Sequence, residues 1–244
     1  MGAAHTRQGA ALDPQGARPL TRIFLFWEHK ENTMKKSAKI AKILAILEKN
    51  YPLADECFLN YNQPYQLLFA TILSAQCTDV RVNQVTAVLF EKYASLQAFA
   101  QADYSELCED VQSTGFFRMK AKHIIESANI LLTEHNGEVP SDIDALTALP
   151  GVGRKTANVV RGHIFQIPSI VVDTHVKRVS FRLGVTSQQA SPEKAEQELM
   201  QVLPQKNWIA YNQQIILHGR AICKSQKPKC TACPFVKLCE NKVL

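Results

Sequence analysis

Apolar residues recur at intervals of three and four along most of the chain from residue 37 onward. Ile40, Ile43 and Leu47 illustrate this spacing, which places them on one face of a helix. Comparable stripes cover residues 67–72, 82–89, 124–132 and 208–222. Extended structure is predicted only for about residues 167–172. The pattern therefore predicts an all-α fold.

Residues that start and stop helices fall between these stripes. Pro64 occupies a first-turn position, and Asp103 with Glu106 has the spacing of a capping box. Asn136-Gly137 is typical of a helix C-terminus. These local signals agree with the periodicity, which supports the helical prediction.

The first 34 residues differ from the rest, because glycine and alanine dominate them and little apolar surface is available to bury. Met34 resembles a second start, so we expect residues 1–34 to be a disordered or extraneous tail. No apolar run approaches the ~18 residues that span a bilayer, so we expect a soluble, cytoplasmic bacterial protein. Arg7, Arg18 and Arg22 leave a role of the tail in organelle targeting open as the alternative.

The segment Leu149-Pro150-Gly151-Val152-Gly153 separates two predicted helices, because the proline and the glycines favour a tight turn. A Gly-x-Gly turn that opens a helix presents free N–H groups and the positive end of the helix dipole. That arrangement suits an anion such as a DNA phosphate, and the net charge of +6 permits a polyanionic partner. On this motif alone, an ordinary turn between helices is the alternative.

Lys155 lies in the first turn of the second helix, where the dipole disfavours a positive charge by ~0.3–1 kcal/mol. The same field favours the uncharged amine, which is the nucleophilic form of a lysine. Helical residues from Arg154 to Phe165 carry the chain about 18 Å, and the residues before Asp173 can return ~23 Å. We therefore expect the Asp173 carboxylate to lie beside Lys155 and also to cap the helix that follows it.

Four of the seven cysteines lie close together near the C-terminus, as Cys223, Cys230, Cys233 and Cys239. In a chain without an export signal, such a group favours a metal site over disulfides. Zn²⁺ and an iron–sulfur cluster both accept four thiolates, so these residues alone leave the choice open. The other three cysteines are expected to be small buried side chains.

Together these motifs resemble the endonuclease III family of helix-hairpin-helix DNA glycosylases and abasic-site lyases. The similarity covers nearly all of residues 35–244. The matching segments, in chain order, are Leu73–Gln76, Thr78-Asp79, Leu149–Val160, Val172–His175, Leu217–Arg220 and the four cysteines. One such motif is a weak indication, whereas all of them in order are highly specific.

The resemblance implies two helical domains with DNA in the cleft between them. A six-helix domain that contains the helix-hairpin-helix would cover residues 57–167. A discontinuous iron–sulfur domain would combine residues 35–56 with residues 168–244. The resemblance also assigns a [4Fe–4S] cluster to the four cysteines.

The implied activity is base excision repair by a monomer that acts on oxidised pyrimidines and abasic sites in double-stranded DNA. Lys155 would attack C1′ of a flipped nucleotide and nick the strand by β-elimination through a Schiff base, while Asp173 stabilises the oxocarbenium-like sugar. The DNA-contacting residues would be Gln76, Phe116, Leu149, Gly151, Val152, Gly153 and Arg154.

Two of these residues have alternative interpretations. Gln76 would fill the gap left by the flipped base, or it is simply a polar residue at a helix end. Phe116 lies where relatives carry a leucine wedge and is predicted either to intercalate or to pack in the core. Nearby, Arg118, Lys120 and Lys122 are expected to form a solvated basic face.

A monofunctional adenine glycosylase of the same superfamily is the nearest alternative for the activity. Such enzymes lack the nucleophilic lysine and carry a catalytic glutamate in the helix before Gln76, whereas residues 67–75 contain no carboxylate. A non-catalytic DNA-binding module with structural zinc is the alternative from a different class.

Overall fold

The computed structural model describes residues 36–52 and 57–242, and the predicted tail at residues 1–34 lies outside them. All regular secondary structure in the described residues is helical, which confirms the all-α prediction. Residues 167–172, predicted as extended, form irregular chain without a strand. Within the described residues, no helix is long and apolar enough to cross a membrane.

Eleven α-helices follow one another along the described chain. Their bounds are residues 36–50 (α1), Pro64–Leu73 (α2), Asp79–Lys92 (α3), Leu96–Ala100 (α4), Tyr104–Asp110 (α5), Phe117–Glu134 (α6), Ile143–Ala148 (α7), Arg154–Ile164 (α8), Thr174–Arg182 (α9), Pro192–Val202 (α10) and Trp208–Ala221 (α11). Short 3₁₀ helices cover Gln112–Thr114, Gln205–Asn207 and Cys230–Ala232.

The predicted helix starts are found where the sequence places them. Pro64 is the first residue of α2, and the Asp103 side chain accepts a hydrogen bond from the Glu106 N–H at the start of α5. Asp173 caps α9 in the same way, by accepting from the Val176 N–H at 2.7 Å. Each cap satisfies an N–H that a helix leaves without an internal partner.

The buried apolar side chains form two separate cores. The first draws on α2 to α8 and is built around Phe69 and Phe99, whose rings pack edge to face at 5.0 Å. The second combines α1 with α9, α10 and α11, and it contains the fully buried Ile43, Tyr211 and Phe235. Phe58, inside the predicted six-helix domain, packs against the second core, and the predicted domain boundaries stay a prediction.

Polar contacts join helices of the two cores. Arg154 at the start of α8 donates to both carboxylate oxygens of Glu196 on α10, each at 2.9 Å. Arg220 on α11 pairs with Asp79 at the start of α3, and its guanidinium lies 4.8 Å from the centre of the Phe58 ring. Such bidentate and paired contacts favour one relative position of the facing helices.

The prediction of a solvated basic face is wrong for Lys120, which is only 4% exposed. Its ammonium donates to the Leu73 carbonyl at 2.7 Å and to the Thr114 carbonyl at 2.8 Å. These carbonyls belong to the last residue of α2 and the last residue of the 3₁₀ helix Gln112–Thr114, and the C-terminus of a helix favours a cation. Burial lowers the pKa of Lys120 because it disfavours the charged ammonium. The two carbonyl acceptors offset part of the free-energy cost of burying that charge.

Lys120→Met should lower the free energy of unfolding by about 1.5–3 kcal/mol, because two buried carbonyls lose a charged donor. Lys122→Met is the matched control, since Lys122 is exposed on the same helix and its ammonium pairs with Glu126. Its expected effect is below ~0.5 kcal/mol. Chemical denaturation of both variants measures the difference, and equal midpoints would contradict a structural role of Lys120.

Candidate active site

A cavity of about 260 Å³ lies between helices of the two cores. Its walls come from the α2–α3 connection, α8, the irregular chain before α9, and α11. Apolar side chains such as Val171, Ile209 and Ile216 form much of the wall, and a few polar groups converge among them. This combination is typical of a site that binds a small, partly apolar ligand.

Lys155 and Asp173 both line this cavity. Lys155 is exposed in the first turn of α8 and has no hydrogen bond or ion pair with the described residues. Asp173 uses Oδ1 to cap α9, and its Oδ2 accepts no hydrogen bond from the described residues. The cavity therefore contains an amine and a carboxylate oxygen that are both open to a ligand.

The hairpin before α8 is tightly built. Gly151 has φ +75°, and a Cβ there would come within 2.5 Å of the His123 ring, so only glycine fits. Leu149 and Val152 are buried in the first core. Their side chains are therefore unavailable to DNA, and any contact at these two positions would come from the backbone.

Gly153 precedes α8 in an extended conformation, and no side chain caps the first turn of the helix. The N–H groups of that turn are consequently available to an external acceptor. Arg154 differs from the prediction in one respect, because Glu196 occupies its guanidinium. Its role as a DNA contact stays a prediction.

Gln76 and Phe116 share an unusual backbone, with φ of 54° and 48°. Non-glycine residues seldom adopt this left-handed conformation, which costs energy and is concentrated at functional sites. Gln76 lines the cavity with Lys155. Phe116 lies outside that lining and is 67% exposed, so the alternative of core packing is wrong.

The four C-terminal cysteines surround one small hollow. Burial raises the pKa of Cys233 and of Cys239, and the neighbouring thiols raise both further. Arg182 Nη1 lies 3.3 Å from the Cys223 sulfur, and His218 Nε2 lies 3.7 Å from the Cys233 sulfur. A convergent set of sulfurs that receives N–H donors suits a thiolate-bound metal group. Of the remaining cysteines, Cys108 is buried as expected, whereas Cys57 and Cys77 are half-buried.

Among the polar cavity residues that sequence reasoning missed is Asn212 on α11. The side chain is 5% exposed, and Nδ2 donates to the Ser169 carbonyl at 3.1 Å. Its Oδ1 is buried without a hydrogen-bond partner in the described part of the chain. No local pattern marks this residue, because its helix is hydrophobic on several sides.

Comparisons with known proteins identify relatives of this chain. A family model described as HhH-GPD superfamily base excision DNA repair protein matches residues 69–205. Endonuclease III from Synechocystis is 49% identical over 84% of this chain and 94% of its own. Endonuclease III from Escherichia coli K12 is 42% identical, over 84% of this chain and 96% of its own.

Solved structures give the same result. A trapped endonuclease III–DNA covalent intermediate has a TM-score of 0.80 at 43% identity, covering 84% of this chain and 96% of the other. A thermostable thymine-DNA glycosylase has a TM-score of 0.72 at 25% identity, covering 86% and 97%. The fold and the motifs therefore define a helix-hairpin-helix protein of base excision repair. Within that superfamily, the chain belongs to the endonuclease III family and is a DNA glycosylase with abasic-site lyase activity.

Proposed function

We propose that this protein excises oxidised pyrimidines from double-stranded DNA and then nicks the abasic strand through Lys155. The observation that carries the proposal is a single cavity lined by an unengaged lysine amine and by the Asp173 carboxylate. An endonuclease III has been trapped as a covalent intermediate with DNA, which is the behaviour that an amine nucleophile produces. We further propose that the protein works as a monomer on the DNA of the bacterial cytoplasm.

The first chemical step requires that the damaged nucleotide be flipped out of the DNA duplex, since the Lys155 amine cannot reach a base that is stacked inside it. The uncharged Lys155 amine attacks C1′, the N-glycosidic bond breaks, and the base leaves with the bonding electron pair and then takes up a proton. The sugar develops oxocarbenium character in this step, and the negative Asp173 carboxylate stabilises it. The lysine nitrogen then loses a proton, and its electron pair forms the C1′=N bond while the C1′–O4′ bond breaks and O4′ takes up a proton. The product is an opened sugar joined to Lys155 as a protonated Schiff base.

The second step uses the same covalent bond. The iminium withdraws electrons from C2′, which allows a base to remove a proton there. The electrons form a C2′–C3′ double bond, and the bond from C3′ to the 3′ phosphate oxygen breaks. Hydrolysis of the imine then releases Lys155 for another cycle.

DNA binding is assigned to backbone and loop positions around the cavity. The hairpin at Gly151 and Gly153, with the uncapped first turn of α8, would hold a phosphate. Gln76 would fill the space of the flipped base, because it lines the cavity in a strained backbone conformation. The exposed Phe116 would enter the base stack beside it.

We propose that Cys223, Cys230, Cys233 and Cys239 hold a [4Fe–4S] cluster. Their sulfurs border one hollow, yet within residues 36–52 and 57–242 no group of three or more His, Cys, Asp or Glu is arranged to hold a metal ion. Four thiolates can bind either a [4Fe–4S] cluster or Zn²⁺, and the proposal of a cluster rests on membership of the endonuclease III family. The cluster would act here by fixing the C-terminal loop.

Borohydride reduction during the reaction tests the proposed chemistry. A duplex with one thymine glycol should become covalently joined to the wild-type protein, because borohydride reduces the Schiff base to a stable amine. An undamaged duplex of the same sequence is the control. Absence of an adduct with both the glycol and an abasic duplex would refute the proposal.

Metal analysis tests the proposed cluster. The purified protein should be brown, with broad visible absorption and about four iron atoms per chain, and Cys233→Ser should lose much of that iron. Cys57→Ser is the matched control, because Cys57 lies away from the four-cysteine hollow. A colourless protein with about one zinc would instead identify the structural-zinc alternative.

A further inference from the structure

Asn212 is the most unusual polar residue of the cavity, because its amide nitrogen has a hydrogen-bond partner and its amide oxygen has none. Nδ2 donates to the Ser169 carbonyl at 3.1 Å, while Oδ1 is buried without a partner in the described residues. The two ends cannot be exchanged, since a flipped amide would place Oδ1 against the carbonyl oxygen of Ser169. The unsatisfied atom is therefore a hydrogen-bond acceptor.

A buried acceptor without a partner costs about 1–3 kcal/mol, so natural proteins usually pair such an atom with a ligand or an ordered water. Asn212 borders the cavity that also contains Lys155 and Asp173. The same cavity has apolar walls at Val171 and Ile216. A planar group with an N–H on its edge and apolar faces would satisfy both features.

We propose that Asn212 Oδ1 accepts a hydrogen bond from the pairing edge of the flipped base and so contributes to lesion selection. This inference rests on the proposed function, because it supplies the base-reading contact for the same site. Oxidised and reduced thymines and uracils keep an N3–H donor between two carbonyls. Asn212 is accordingly a specificity residue for bases with that donor, and it has no part in strand nicking.

The proposal separates the two activities of the enzyme. An abasic site has no base to contact, so nicking of a preformed abasic duplex does not require Asn212. Release of dihydrothymine does require it, because the donor would otherwise enter the cavity without its acceptor. Asn212→Leu removes the acceptor at similar volume, and we expect base release to slow about 10- to 100-fold while nicking stays within about 2-fold.

Gln214→Leu is the matched control. Gln214 is a buried amide on the same helix that donates to the Tyr51 carbonyl at 3.1 Å and does not line the cavity. Its replacement perturbs the helix without touching the ligand. We expect the ratio of base release to nicking in this variant to equal that of the wild type.

A substrate analogue provides a second measurement that needs no variant. N3-methyl-dihydrothymine lacks the donor, so the wild type should release it at least about 10-fold more slowly than dihydrothymine. In Asn212→Leu the two bases should be released at similar rates. Equal release of the two bases by the wild type overturns the proposal, as does unchanged base release in Asn212→Leu.

These outcomes remain distinguishable from failure of the proposed function. A wild-type protein that nicks no abasic duplex would remove the lyase assignment itself. A wild-type protein that nicks normally but ignores N3 methylation would remove only the role of Asn212. If Asn212→Leu is recovered unfolded, Asn212→Ala is assayed in its place, and the analogue comparison on the wild type decides independently.

Discussion

Lys155→Ala should form no borohydride-stable adduct with an abasic duplex and should nick it at least about 1000-fold more slowly than the wild type. Within the described residues, Lys155 is the only lysine that lines the cavity. Its removal leaves the Asp173 carboxylate there without a nucleophile, so the covalent path is closed. Single-turnover nicking and a denaturing gel of the reduced complex measure both effects.

Lys194→Ala is the control for loss of one positive charge, since Lys194 is exposed on α10 and does not border the cavity. It should give a full adduct yield. Binding of Lys155→Ala to a duplex with a reduced abasic site should stay within about 10-fold of the wild type, because the hairpin contacts persist. A normal adduct yield from Lys155→Ala would mean that another amine is the nucleophile.

The convergence of Lys155 and Asp173 could be predicted from the sequence because it depends on local geometry. A helix rises by a fixed length for each residue, and a short return segment leaves its end few places to reach. Asp103 and Pro64 were predictable for the same reason, since a helix start is decided within one turn. Features of this kind require only the residues on either side.

The contacts that sequence reasoning missed join positions that are distant in the chain. The sequence around Lys120 predicts a basic surface. In the structure its ammonium donates to the Leu73 carbonyl, which lies 47 positions earlier in the chain. The Arg154 guanidinium donates to the Glu196 carboxylate, which lies 42 positions later in the chain. The unpaired Oδ1 of Asn212 likewise depends on distant residues, because the hydrogen bond to Ser169 fixes the orientation of the amide. The hydrophobic periodicity of the sequence does not predict this contact.

The left-handed backbone at Gln76 and Phe116 could not be predicted from the sequence, for a different reason. Local preferences predict glycine or asparagine at such positions, and neither residue type is present there. The Lys120 ammonium donates to the carbonyls of Leu73 and Thr114, which lie three and two residues before these positions. Local preference therefore fails at the two loops proposed to enter the DNA, which is where strained conformations are expected.

Asp173 has two separable roles, and a pair of substitutions should distinguish them. Asp173→Asn keeps a side-chain oxygen that can accept from the Val176 N–H, so the stability of the protein should change by less than about 0.5 kcal/mol. Asp173→Ala removes the cap and should cost about 1 kcal/mol in the free energy of unfolding. Both variants lose the negative charge in the cavity, and both should release damaged bases about 100- to 1000-fold more slowly.

Asp142→Ala is the matched control for the cap. The Asp142 carboxylate caps α7 by accepting from the Asp144 and Ala145 N–H groups and does not line the cavity. Its loss should cost a similar ~1 kcal/mol and leave base release near the wild-type rate. Because Asp173→Asn isolates the charge and Asp142→Ala isolates a cap, the two measurements together assign the catalytic effect. Wild-type base release by Asp173→Asn would reduce Asp173 to a helix cap and leave the oxocarbenium-like sugar without its proposed stabilising charge.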